Sequence, residues 1–334
     1  MSKVIFLYFA GLLLSFVLLF KCADYFITGS VGIAGVLHIP KLIMGIVLVG
    51  LATTAPEFAV SVQAAFLGHP EIALGNAIGS VICDDGIALG LAAVLSPVII
   101  SVNCRVLKVV GSFILFIDIL AYILAGNGTV SRLDGLILLA FLAVYFWMMY
   151  AMRNFFRKGG MLEPDFAESG DTRTANHEEG SNWRYLKKPL FLFAAGIIGV
   201  VLTSRVVIWA SVNIAEYFSI SETIIGLTVI AIGTSLPEIS TCVTAALKKE
   251  GQIAIGNILG ADVLNILWII GMSALVRPID VEREVINFSF PFMILIVVVM
   301  LAAMRHRCRL GKTKGLILLS MYGLYLFLTI KFFI

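Results

Sequence analysis

An all-α polytopic membrane protein, with ten transmembrane helices in two inverted five-helix repeats and its N-terminus outside, is what three features of this sequence predict. Apolar residues run on in stretches long enough to cross a bilayer. Positive charge collects on one side of those stretches. One motif recurs in the two halves at a single spacing.

The chain has 334 residues, of which 60% are hydrophobic and only 13% charged. A soluble domain carries about 25% charged residues, so there is too little polar surface here to clothe a water-soluble body. The bilayer is therefore the partner that the composition demands, in a multi-pass protein of the cell membrane, and no nucleic-acid partner is expected. Apolar runs such as Val4–Phe20, Leu136–Met152, Leu190–Val201 and Ile286–Met304 approach the roughly 20 residues of a spanning helix. They are continuous rather than alternating, which excludes the strands of a membrane barrel. The first run has a single basic residue before it, Lys3, and no small-residue cleavage site ahead of Lys21, so it reads as a span rather than a signal peptide. Cys22, Cys83, Cys104, Cys242 and Cys308 show no metal-type spacing and are expected to act as small packing residues.

Ten spans are placed near 3–23, 41–67, 71–96, 104–126, 131–153, 187–213, 223–247, 252–276, 284–304 and 313–333. Residues 154–186 form the one long polar stretch and read as a cytosolic linker between a first repeat, 1–153, and a second, 187–334. With the N-terminus outside, the inner connections carry Lys41, Arg105, Lys108, Lys248, Lys249, Arg305, Arg307, Arg309, Lys312 and Lys314. The linker and its flanks add Arg153, Arg157, Lys158, Arg173, Arg184, Lys187 and Lys188, making seventeen. The outside holds five: Lys3, Arg132, Arg277, Arg283 and Lys331. Such a bias sets orientation. Five spans before the linker then send the second half into the membrane with opposite polarity.

The repeat is visible in the residues. Gly50–Glu57 (Gly-Leu-Ala-Thr-Thr-Ala-Pro-Glu) matches Ala231–Glu238 (Ala-Ile-Gly-Thr-Ser-Leu-Pro-Glu) at an offset of 181. The same offset takes Ile72–Gly79 onto Ile253–Gly260. This is the inverted-repeat plan of secondary transporters.

Ionisable groups within spans are costly and mark ion or substrate pathways. Glu57 and Glu238 lie in mid-span, and each follows a proline, Pro56 or Pro237. Proline withholds the helical N–H and breaks the helix. Carbonyls around Gly50–Thr54 and Ala231–Ser235 are thereby freed, beside the hydroxyls of Thr53, Thr54, Thr234 and Ser235. On the next span Ser80 and Asp84 are four apart and share a helix face, with Ala261 and Asn265 as counterparts. Hard oxygen donors of this kind suit calcium, and sodium shares the preference. Asp118 and Asp262 read as lone structural or vestibule acids, and Asp85 as turned away from Asp84. Gly75, Gly79, Gly256 and Gly260 are expected to permit close helix packing.

The stretches 233–238 and 75–80 resemble the two alpha-repeats of the cation/calcium exchanger superfamily, and most closely its prokaryotic sodium/calcium exchangers. The resemblance implies a non-enzymatic antiporter that moves Ca2+ against Na+ by alternating access. It needs no cofactor and no oligomer. It implies calcium ligands at Glu57 and Glu238, a polar pair at Asp84 and Asn265, and sodium ligands at Gly50, Thr54, Ser80, Ala231 and Ser235. Ala261 departs from the pattern where a serine is expected, which leaves the sodium count open. A role for potassium or a proton is open as well, and so are a Ca2+/H+ antiporter and a K+-dependent exchanger. A passive cation channel is a weaker alternative, and an intramembrane aspartyl protease lacks its Gly-x-Gly-Asp motif.

Overall fold

The computed structural model describes residues 2–36, 53–151 and 182–333. Its elements are α1 (Ser2–Val36), α2 (Ala55–Leu67), α3 (Pro70–Leu95), β1 (Ile100–Ser101), α4 (Cys104–Ala125), β2 (Thr129–Val130) and α5 (Arg132–Ala151). The second half supplies α6 (Asn182–Phe218), α7 (Glu222–Thr234), α8 (Leu236–Leu247), α9 (Gly251–Val276) and β3 (Ile279–Asp280). It ends with α10 (Phe290–Arg305), β4 (Arg309–Leu310) and α11 (Lys312–Phe333). Among the described residues 8 helices are long and apolar enough to cross a membrane, and a ninth if α7 and α8, bent by 43°, form one span. Phe6, Leu13, Leu133, Trp147, Phe191 and Phe327 present exposed apolar surface of the kind that faces lipid.

Two expected spans prove longer. The first, placed at 3–23, continues to Val36, and the sixth, placed at 187–213, covers Asn182–Phe218. The end of the expected linker is therefore helical, while 154–181 lies outside the described residues. Each long helix is supported by the other. They run antiparallel, with Tyr8 edge-on to Trp209 at one end and Phe26 against Phe193 further along. Gly29, Gly196 and Gly199 let the backbones meet, because a Cβ on any of them would strike Phe193, Phe26 or Cys22. Gly32 likewise makes room for the ring of Pro189, so the proline sits inside the helix without ending the pairing.

The remaining helices form a denser body around α3 and α9. A Cβ on Gly75 or Gly79 would collide with the carbonyls of Thr223 or Leu227 on α7, so these glycines do set the approach of the two halves. Among the described residues nothing lies within 4 Å of a Cβ placed on Gly260, so the close packing expected there has no described partner. Two short antiparallel ribbons close the ends of the body. β1 pairs with β4, Ile100 opposite Leu310, and β2 pairs with β3, Val130 opposite Ile279. Each ribbon joins one repeat to the other.

The cysteine expectation needs correction. Cys104 and Cys308 form a disulfide across 204 residues of sequence. Cys83 and Cys242 are buried packing residues, and Cys22 is half-buried against Gly199. The pairing was invisible in the sequence because it depends on the β1–β4 ribbon bringing two distant loops together.

Gly79→Val should lower the thermal unfolding temperature of the detergent-solubilised protein, because its Cβ would lie 2.7 Å from that of Ala231. Overpacking of this kind costs about 1–3 kcal/mol. Gly11→Ala, where nothing lies within 4 Å among the described residues, should leave it unchanged or raised. Equal melting of the two variants would contradict the packing role of Gly79.

Candidate cation site

Two helix breaks place the central carboxylates. Thr54 (φ −83°, ψ 1°) and Ser235 (φ −77°, ψ 3°) stand at equivalent repeat positions, just before α2 and α8. Both leave the helical well for the sparsely allowed bridge region. Pro56 and Pro237 follow at the first helical positions, where a missing N–H is tolerated. Pro237 nonetheless withholds its bond from the Gly233 carbonyl one turn earlier. The break is narrower than the sequence implied. Ala231, expected to have a freed carbonyl, still accepts the Ser235 N–H at 3.0 Å, and Thr234 Oγ1 lies 3.4 Å from the same oxygen. Gly50 lies outside the described residues.

Behind the breaks, the two halves hold each other by matched bonds. Thr234 Oγ1 donates to Asn76 Oδ1 at 3.0 Å, and Thr53 Oγ1 donates to Asn257 Oδ1 at 3.3 Å. Asn76 Nδ2 donates to Ser61 Oγ at 2.9 Å, and Asn257 Nδ2 to Cys242 Sγ at 3.9 Å. Every partner maps onto its counterpart at the 181-residue offset. Thr234 Oγ1 lies equally close, at 3.0 Å, to the Ile230 carbonyl, and with its one proton given to either acceptor its lone pairs remain for another ligand. Thr234 lies beside the Glu57 carboxyl and Thr53 beside that of Glu238. Asn76 and Asn257 were not singled out from the sequence. The signal that could have found them was their identity at one offset within Gly-Asn-x-x-Gly.

α3 and α9 complete the site. Both pass through a π-helical turn, Asp84–Ala88 and Leu264–Ile270, a widened geometry found mostly at functional positions. Asp84 opens the first and Asn265 lies at the start of the second. Glu57, Asp84 and Glu238 face one another electrostatically, and Asp84 also faces Ser235. Thr54, Glu57, Ser80, Asp84, Thr234, Ser235, Glu238 and Asn265 are all buried. Among the described residues, both carboxylate oxygens of Glu57, Asp84 and Glu238 lack a hydrogen-bond partner, as do Ser80 Oγ, Ser235 Oγ and Asn265 Oδ1. Buried carboxylates without partners are costly unless a cation or proton balances them. The donor set is oxygen throughout, as calcium and sodium prefer. Among the described residues, however, no three acidic, histidine or cysteine side chains already converge to metal-binding distance.

Asp118 and Asp262 are not lone acids. Asp262 faces Asp85, and Asp118 lies near both, in a second buried group next to Asp84. Their oxygens also lack hydrogen-bond partners. The repeat supplies Val81 and Ile266 opposite Asp262 and Asp85, so this group, drawn from both halves, has no symmetry-related counterpart.

The family model for the sodium/calcium exchanger protein matches residues 7–151 and 188–331. The chain belongs to the sodium/calcium exchanger family. It is 32% identical to inner membrane protein YrbG of Escherichia coli over 92% of each chain. It is 29% identical to the sodium/calcium exchanger MaX1 of Methanosarcina acetivorans, over 98% of this chain and 99% of that one. Its fold resembles a solved structure of the sodium-calcium exchanger NCX_Mj, with a TM-score of 0.59 and 27% identity over 96% of this chain and 98% of that chain. It is a multi-pass membrane protein.

Glu57→Gln and Glu238→Gln should each reduce calcium uptake into proteoliposomes by roughly a hundredfold, since ligand charge governs affinity for the divalent ion. Folding, followed by size-exclusion profile, should be kept. Asn76→Leu removes no charge but frees Thr234, and should lower uptake by about tenfold through the lost hydrogen bond and misplaced oxygen. Normal uptake by either glutamate variant would remove these carboxylates from the site.

Proposed function

We propose that this chain exchanges Ca2+ for Na+ across the cell membrane by alternating access. It works as a secondary antiporter and not as an enzyme. The carrying observation is the matching non-helical backbone of Thr54 and Ser235 just before α2 and α8, which sets Glu57 and Glu238, without hydrogen-bond partners among the described residues, against Asp84 within a shell of neutral oxygens. In this reading the ligands are Glu57, Glu238, Asp84 and Asn265, with Thr53, Thr54, Ser80, Thr234 and Ser235 and the carbonyls of Gly50 and Ala231. One divalent ion or several monovalent ions can balance the carboxylates. Competition for that charge is what couples the two fluxes.

The ten-span plan, with halves 1–153 and 187–334 and a cytosolic linker at 154–186, is supported by parity. β2 and β3 are hydrogen-bonded and so share a face. α5, α6, the α7–α8 pair and α9 lie between them, and an even number of crossings requires that the bent pair also cross. His69 and Glu222 share a face too, with His69 Nδ1 in hydrogen-bond contact with Glu222 Oε2 at 2.8 Å. The antiparallel pairing of α1 with α6 puts the N-terminus on the face of Phe218 and His69, which leaves two crossings for α1 and the span ending at Leu67. The seventeen-to-five charge bias assigns that face to the outside.

α1 and α6 are the candidates for the moving element. They pack chiefly on each other, and α1 reaches the site through Phe16, whose ring lies over Gly233 one turn before Glu238. Displacing this pair would open or cover the broken helices without disturbing the ribbons.

Two measurements test the reading. Calcium flux in proteoliposomes should reverse at a potential that follows the imposed sodium gradient. Flux that follows the proton gradient and ignores sodium would make the chain a Ca2+/H+ antiporter. For topology, a cysteine introduced within 160–180 should react with an impermeant reagent only from the cytosolic side, and reaction from outside would overturn the orientation.

A further inference from the structure

The Cys104–Cys308 disulfide lies on a face whose chemistry argues against a permanent bond. The β1–β4 ribbon holds it there, with Val102 N–H donating to the Cys308 carbonyl at 2.9 Å. Arg105, Lys108, Arg305, Arg307, Arg309, Lys312 and Lys314 cluster in the adjoining sequence. The opposite ribbon is flanked by Arg132, Arg277 and Arg283 together with Asp134, Asp280, Glu282 and Glu284. By charge the disulfide is thus on the cytosolic side, where thiol buffers keep most cysteines reduced.

We propose that Cys104 and Cys308 form a reversible thiol–disulfide site, a redox-sensitive cross-link between the two repeats at their cytosolic ends. The inference rests on the orientation argued above. Three features of the site suit exchange. Both residues are partly accessible. Cys104 is the first residue of α4, after the Asn103 cap, where helix N–H groups and the neighbouring cations stabilise a departing thiolate. The other arm is pre-formed for re-closure. Arg307 and Cys308 hold left-handed backbone (φ 62° and 50°), which residues with a Cβ rarely adopt. The Lys314 ammonium secures this hairpin by donating to the carbonyls of His306 and Arg309 at 2.7 and 2.6 Å. Cys308 therefore stays near Cys104 after the bond opens.

The reductant is a low-molecular-weight thiol such as glutathione. Its thiolate attacks Cys308 Sγ, forming a mixed disulfide and releasing Cys104 as thiolate. A second thiol attacks the mixed disulfide on its non-protein sulfur and releases Cys308. The sum is one protein disulfide and two thiols giving two protein thiols and one small disulfide. The reverse steps re-oxidise the pair.

The test uses the full chain in membrane vesicles of each orientation, equilibrated with impermeant glutathione buffers of graded ratio. After acid quench and denaturation, a polyethylene glycol maleimide counts free thiols. Inside-out vesicles should pass from three to five labels per chain as the buffer becomes reducing, and return on re-oxidation, while right-side-out vesicles stay constant. A Cys104→Ser/Cys308→Ser variant should hold at three labels under every buffer. A label count insensitive to buffer from both sides would overturn the proposal. Response from the outer side alone would overturn it too and mark an ordinary extracytoplasmic disulfide, and the 160–180 labelling shows separately whether the orientation is at fault.

Discussion

Carboxylates sealed inside a membrane protein without hydrogen-bond partners are the constraint from which the rest follows. Glu57, Asp84 and Glu238 are each at most about 1% exposed, and their carboxylate oxygens have no hydrogen-bond partner among the described residues. An uncompensated buried charge costs several kcal/mol, against a total folding stability of about 5–15 kcal/mol for a typical domain. The site cannot rest without positive charge. Each accessible state must therefore hold cations or protons, and that obligation turns a buried acidic cluster into a device for exchange. The broken helices answer the same constraint, because they bring neutral oxygens to a depth where intact helices would offer none.

The repeat meets this need twice with one local design. Before a proline two residues on, Thr54 and Ser235 adopt the same non-helical backbone conformation, and an asparagine from the opposite half holds each preceding threonine. Neither half completes its own site. The halves are also unequal in ways that bear on coupling. Ser61 faces Asn76 where Cys242 faces Asn257, Asp84 is matched by Asn265, and Ser80 is matched by Ala261. The acidic excess gathers on the α3 side, where Asp85, Asp118 and Asp262 stand behind Asp84. A symmetric scaffold thus carries an asymmetric charge distribution.

Each half is also divided internally by its packing. α1 and α6 meet through glycines and rings along their length, whereas α3 is locked to α7 by Gly75 and Gly79 against backbone carbonyls. The ribbons and the disulfide bind the dense body and leave α1 and α6 outside their reach. Motion is therefore cheap in one layer and costly in the other.

Membrane class, the repeat, the two glutamates and their flanking hydroxyls were all legible in the sequence. Hydropathy, proline position and a constant offset are one-dimensional properties, set by what each segment must do in a bilayer whatever its neighbours. Helix ends at Val36 and Asn182 were misjudged because the mutual packing of α1 and α6, not local composition, extends them. The holding role of Asn76 and Asn257 depends on which helix faces which across the pseudo-twofold axis. So do the grouping of Asp85 with Asp118 and Asp262, and the Cys104–Cys308 bond. Only the tertiary structure decided these, since inter-helix register is fixed by contacts between residues some 150 to 200 positions apart, which no local pattern records.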